Sequence, residues 1–169
     1  VTAAQQAALE QMQPDLDKLH ENGFMVHIAP KLGVRESRRV SGEYVLNEND
    51  LRAGAMPDDT IAIGGWWLDI WGGDVDEDER QVPPYGIPFR CLLPTGLEGL
   101  LVVGKSISIS HIALSAYRVQ PFVAATGQAA GLAAACAAQE RMPLRAVDVA
   151  ALQDRLPVVR QAVLQFKEL

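Results

Sequence analysis

Residues 125–138 read "ATGQAAGLAAACAA", and the reading of this stretch decides the fold. Gly127 and Gly131 stand four apart at the head of an alanine run, although each glycine inside a helix costs about 1 kcal/mol relative to alanine. At that spacing both fall on one helical face and strip it of side chains, so the backbone can lie against a strand, another helix or a flat ligand. Close packing alone would account for the pair. So would approach to an anion or an electron-rich ring, because a helix N-terminus brings free N–H groups and about half a positive charge. Pro121 suits a first helical turn and Pro143 blocks continuation, which places the helix from near Pro121 to about Arg141.

Working upstream, "LLVVG" at 100–104 reads as a buried strand ending in Gly104, followed by the polar "KSISISH" of 105–111. An α/β architecture sets its ligands at the carboxyl ends of strands, so this junction is where a ligand is expected. "IPFRCLL" (87–93) reads as extended and "PTGLEG" (94–99) as a turn. "IAIGGWWLDIW" (61–71) alternates Trp66, Leu68 and Ile70 against Trp67, Asp69 and Trp71, the period of a strand with two partly apolar faces. "FMVHIA" (24–29) is short, apolar and bounded by Gly23 and Pro30, as a buried strand is, and 35–46 reads as a partly exposed strand.

The helical signals are equally local. Leu9, Met12, Leu16 and Leu19 recur at helical spacing, Pro14 is expected to split that segment in two, and Asn22-Gly23 ends it. Asn47 can cap a short helix with Asp50 at its third position, closed by Gly54. Asp148 caps another short helix and Pro157 opens the last one. The expected fold class is mixed α/β, without internal repeats.

Composition bounds the function. The chain has 169 residues, 49% hydrophobic, enough for an ordinary core or for a large piece of a bigger domain. Fifteen basic against 21 acidic residues give a net charge of −6 with no basic tract, which argues against nucleic acid as a partner. Thr126 and Gln128 interrupt the alanine run, so no membrane span is expected. The N-terminal stretch lacks a basic n-region and an apolar h-region, and it lacks an initiator methionine, which suggests a piece of a longer chain. Cys91 and Cys136 sit far apart in apolar surroundings, as buried thiols of a reducing compartment do, and the cytoplasm is the expected location.

Metal chemistry is not expected. Asp74, Asp76 and Asp78 imitate the start of a calcium loop, but Glu79 holds the place of the required glycine and Tyr85 that of the closing glutamate. His20 and His27 lack ligand spacing, and the cysteines form no C-x-x-C. Arg35, Glu36, Arg38 and Arg39 form a charged cluster, read as a guarded strand edge. Arg90, between Phe89 and Cys91, requires a buried anionic partner, either a carboxylate or a cofactor.

"YGIPFRCLLPTGLEGLLVVGKSISISHIALSAYRVQPFVAATGQAAGLAAACAA" (85–138) resembles the C-terminal part of FAD-dependent oxidoreductases of the glutathione-reductase-type superfamily, in the branch related to fumarate reductase flavoproteins. The resemblance extends upstream through "LGVRESRRVSGEYVLNENDL" and downstream through "MPLRAVDVAALQDRL", covering about 28–156. It implies a partial substrate-side domain with the N-terminal helix over 1–95, the last strand and helix of an FAD-binding domain over 96–141, and a helical extension over 142–169. It further implies that Gly104 lets the backbone pass close to FAD, with Lys105 beside it at a position that is often acidic in the superfamily and usually basic in this branch. The N–H groups around Ala125, Thr126, Gly127 and Gln128 are then expected to face the flavin's pyrimidine edge.

The resemblance also places His111 and Arg118 where related enzymes contact a substrate carboxylate, as an anion-binding or proton-delivering pair. The structural alternative is a helix-start arginine paired to a local carboxylate and a satisfied polar histidine. Arg90 is a further substrate candidate. Relatives carry histidine where this chain has Trp71, and the G-x-G-x-x-G turn that binds pyrophosphate has no match in the 169 residues. The leading expectation is therefore the C-terminal part of an FAD-dependent dehydrogenase that acts on a small molecule with an unspecified electron acceptor. It would self-associate or pair with a missing N-terminal half, and have little activity alone. The alternatives are a cofactor-free binding module on the same scaffold, and a subunit lending its flavin helix to another polypeptide.

Overall fold

In a computed structural model, residues 2–29, 33–70 and 76–167 are described. They form, in chain order, α1 (Thr2–Glu21), α2 (Glu48–Arg52), β1 (Thr60–Gly64), α3 (Glu77–Arg80), β2 (Tyr85–Pro88), α4 (His111–Tyr117), α5 (Gln120–Glu140), α6 (Val149–Asp154) and α7 (Pro157–Lys167). The class is mixed α/β. Two compact units divide the chain, Val1–Arg35 and Glu36–Leu169.

The first unit is led by α1, which runs unbroken through Pro14. The expected split does not occur: proline removes one ladder bond, and on an exposed helix water can meet the freed carbonyl. Gln6–Glu10 and Gln13–Asp17 hydrogen bonds at i,i+4 brace the helix on either side. Gly23, at φ +80°, ends it with the Phe24 N–H donating to the Leu19 carbonyl. Residues 24–29 carry no strand, contrary to expectation, and Phe24 and Met25 are 61% and 97% exposed.

In the second unit β1 and β2 pair antiparallel, Ala62 opposite Ile87 and Gly64 opposite Tyr85, with a register shift between Thr60 and Ala62. Gly64 is required by closeness: a Cβ there would come within 2.3 Å of the Tyr85 ring. Strand β1 also carries the packing of α5, α6 and α7. The face of α5 turned to the core is built from Thr126, Ala129, Ala130, Ala133 and Ala137, small enough to admit a close neighbour. By length and composition α5 could cross a membrane; its apolar content is mostly alanine.

Four extended readings shorten or dissolve. The strand expected over 61–71 ends at Gly64, and Trp66–Ile70 continues irregularly with the Leu68 N–H donating to the Arg80 carbonyl at 2.8 Å. Trp71 and Asp74 lie outside the described residues. "IPFRCLL" yields β2 and then a 3-10 turn over Phe89–Leu92. Segment 100–104 is not a buried strand: Leu100 and Val103 are 45% and 40% exposed, and the Val102 N–H donates to the Leu92 carbonyl. No other strand of the described residues pairs with it, so extended propensity has no ladder to join. Residues 40–46 make bridges rather than a strand, Gly42 with Pro94 and Leu46 with Ile109.

The capping signals hold. Asn47 accepts from the backbone of Asn49 and Asp50, and Asp50 returns a bond to the Asn47 N–H, a full capping box. Asp148 caps α6. Between α4 and α5, the buried Tyr117 hydroxyl and Thr126 hydroxyl lie 2.9 Å apart, and Thr126 also donates back to its own helix. The Tyr85 hydroxyl, fully buried, has no partner among the described residues. Removing the orphan by Tyr85→Phe should leave stability unchanged or raise it by up to about 1 kcal/mol, whereas Tyr117→Phe should cost about 1 kcal/mol. Urea denaturation of the three proteins distinguishes these outcomes.

Candidate functional site

The candidate residues lie at the two ends of α4, on the turn at Gly104 and along α5. Gly104 opens a 3-10 turn, Gly104–Ser106, at φ +74°, a left-handed conformation that favours glycine, and this turn packs against α5. A Cβ on Gly104 would meet nothing within 4 Å, and the same holds at Gly127 and Gly131. The close-packing explanation of the glycine pair thus finds no neighbour among the described residues. Exposed Ala124, Gln128, Gly131, Ala135 and Ala138 continue that bare stripe along α5, about 21 Å at helical rise.

The four expected flavin-facing residues separate by environment. Ala125 and Gln128 line a cavity of about 320 Å³ shared with Ile61, Ile63, Leu156 and Val158, between β1, α5 and the start of α7. Thr126 turns inward to Tyr117. Gly127 keeps its half-buried backbone open. Because α5 starts at Gln120, the N–H groups of 125–128 lie inside its ladder, beyond the first-turn donors that a helix leaves free. A group lying here therefore meets side chains and bare backbone rather than unpaired N–H donors.

Arg118, His111 and Arg90 each meet a carboxylate. Arg118, the C-cap of α4, donates through Nη2 to the Asp69 carboxylate at 2.8 Å and to the Asp69 carbonyl at 3.0 Å. Its side chain is only 15% exposed. His111 sits at the other end of α4, two turns and about 10 Å away along the axis, with Nδ1 2.6 Å from a Glu36 oxygen. The two residues share a helix face but not one ligand-sized point. Arg90 lies on the 3-10 turn rather than in a buried strand; Nε and Nη2 donate to the two Asp59 oxygens at 2.8 and 3.1 Å, and its guanidinium stands 5.0 Å from the Tyr44 ring centre. Its expected anionic partner is thus a carboxylate, and the arginine is half-exposed. Lys105 is exposed on the turn after Gly104.

Sequence reading missed the carboxylate partners. Glu36 was visible only as part of a charged cluster, and Asp69 only as one acid in an apolar run; both pairings span long separations that no local pattern encodes. Burial pushes the Glu36 carboxyl up, but hydrogen bonds and charge from Arg39 and His111 outweigh it and hold the group below its ordinary value. Glu48 is also lowered, first by its own backbone N–H and then by the Ser110 hydroxyl. Burial pushes Cys91 and Tyr117 up to about 12, so both stay protonated at neutral pH. Among the described residues no group of three or more His, Cys, Asp or Glu could hold a metal.

A carboxyl with a depressed folded value stabilises the fold above the ordinary range, and that contribution is lost as pH falls through the folded value. The stability difference between the parent and the Glu36→Gln, Glu48→Gln double variant should therefore be present near about pH 6 and shrink towards about pH 3. Denaturation at stepped pH measures it.

The bare backbone of Gly104, Gly127 and Gly131 fits a flat group, since none of the described residues occupies the space a Cβ would take. Neither a curated protein nor a solved structure matches the chain. The family model described as FAD dependent oxidoreductase matches residues 1–156. The chain belongs to the FAD-dependent oxidoreductase family, whose cofactor is FAD.

Proposed function

We propose that this chain supplies the flavin-ring side of an FAD-dependent dehydrogenase in the branch related to fumarate reductase flavoproteins. The observation that carries the reading is the glycine face of α5, left open by the described residues, together with the left-handed Gly104 turn that packs on the same helix. In this reading residues 1–95 belong to the substrate side, 96–141 to the cofactor side and 142–169 to a helical extension. The G-x-G-x-x-G pattern that binds pyrophosphate is not among these 169 residues.

Gly104, Lys105, Gly127 and the flanking Ala125 and Gln128 would hold the ring, and Thr126 would fix the helix beneath it through Tyr117. When bound, FAD supplies a hydride acceptor that no side chain provides. Arg118, immobilised by Asp69, offers a fixed positive charge to an anionic small-molecule substrate. The exposed His111 ring, at the far end of α4 from Arg118, can exchange a proton with a substrate group that does not also reach that arginine. Arg90 offers a second, half-exposed cation. The family match favours this reading over a cofactor-free module.

Two supporting expectations accompany it. The reading places the protein in a reducing, cytoplasmic compartment, where Cys91 and Cys136 remain free thiols. Exposed apolar surface, including Leu97, Leu100, Val103 and Val158, favours self-association or pairing with the other half. Sizing at rising concentration should give a species larger than the monomer, and a monomer throughout would contradict the association.

The function is tested by the visible spectrum of added FAD. The parent should produce a saturable change in the flavin bands, and Gly127→Leu, with unchanged far-UV circular dichroism, should abolish it. Identical spectra for parent and variant would overturn the placement of the flavin on this helix.

A further inference from the structure

We infer that Glu36 is the positioning residue of His111, and that the pair presents the imidazole Nε2 as a proton acceptor towards a hydroxyl-bearing substrate. Only the choice of reaction rests on the flavin reading above; the pairing rests on geometry. His111 is the first residue of α4, and the backbone beneath it is fixed by the Ser110 hydroxyl, which accepts from the Ala113 N–H at 3.1 Å and donates to Glu48 at 2.8 Å. On the ring, Nδ1 lies 2.6 Å from Glu36 Oε2, while Arg39 takes the other carboxylate oxygen. The His111 side chain is 72% exposed, and Glu36 is the one polar partner of its ring among the described residues.

The tautomer follows from that arrangement. An ionised carboxylate can only accept, so the neutral ring must carry its hydrogen on Nδ1, and Nε2 is left with a lone pair facing solvent. Arg39 favours the ionised form of Glu36 and thereby the same tautomer. When a substrate hydroxyl is the donor, its O–H bond breaks, the proton forms the new bond to Nε2, and the electron pair stays on the substrate oxygen. The positive charge then gained by the imidazole is met by Glu36, whose carboxylate is already in place. The ligand class we propose is a hydroxyl-bearing small molecule, whose O–H can donate to that lone pair.

The nitrogen shifts of the imidazole test this directly in the flavin-free 169-residue chain. The chain has three histidines, so His111→Gln assigns the signal. At about pH 9, above the ordinary histidine range near 6.5, the parent should show His111 mostly as the Nδ1–H tautomer. Glu36→Ala should shift most of the population to Nε2–H, and Glu36→Asp should restore part of the parent signal. A dominant Nε2–H form in the parent, or an unchanged tautomer in Glu36→Ala, overturns the inference; the parent measurement decides even where the variant fails to fold. Because no flavin is present, failure of the flavin reading leaves this result unchanged, and a reversed tautomer leaves flavin binding untouched.

Discussion

The contact between β1 and the alanine face of α5 governs the second unit. A five-residue strand offers little area, yet α5, α6 and α7 all pack on it and β2 pairs along its edge. Such crowding is possible because small residues face it: Ala129, Ala133 and Ala137 on the helix, and Ala62 and Gly64 on the strand. Alanine buries few atoms, so this helix gains less from burial than one lined by leucine, and the Tyr117–Thr126 hydrogen bond adds directional register. The same economy leaves the opposite side of α5 thin. One helix thus carries a face committed to the core and a face that the described residues leave open.

Around that frame three basic side chains follow one rule. His111, Arg118 and Arg90 each meet a carboxylate from a distant segment, Glu36, Asp69 and Asp59 respectively. Held this way, a side chain has lost rotamer freedom before any ligand arrives, which lowers the cost of binding. Arg145 follows the rule with a structural purpose, joining Glu43, Glu98 and the carbonyls of Pro94 and Leu97. The difference lies in saturation: among the described residues Arg145 is spent on four partners, whereas the exposed imidazole of His111 has one.

What was legible in the sequence was what is local. The capping box at Asn47, the Asp148 cap and the limits of α5 are written in residues that touch their near neighbours, and the structure has them where those residues indicate. Extended segments fared less well because a strand exists only by its partner: 100–104 has the composition of a strand without a second strand beside it. Pro14 misled for the opposite reason, since its effect depends on exposure rather than identity. Short α4, with Ser110 as its cap, was hidden in a polar run that lacked a clear apolar period. At the site, glycine spacing marked the open face, but the carboxylates that hold the cations come from segments 31 to 75 residues away in sequence.

The central claim is that the open side of α5 and the Gly104 turn form the flavin-facing surface, and backbone amide NMR of the 169-residue chain during addition of FAD tests it most directly. The account predicts concentration-dependent shifts concentrated at Gly104, Lys105, Gly127, Gln128 and Gly131, with the buried amides of Ala133 and Ala137 nearly still. Shifts confined to other segments, or none at saturating FAD, would contradict it.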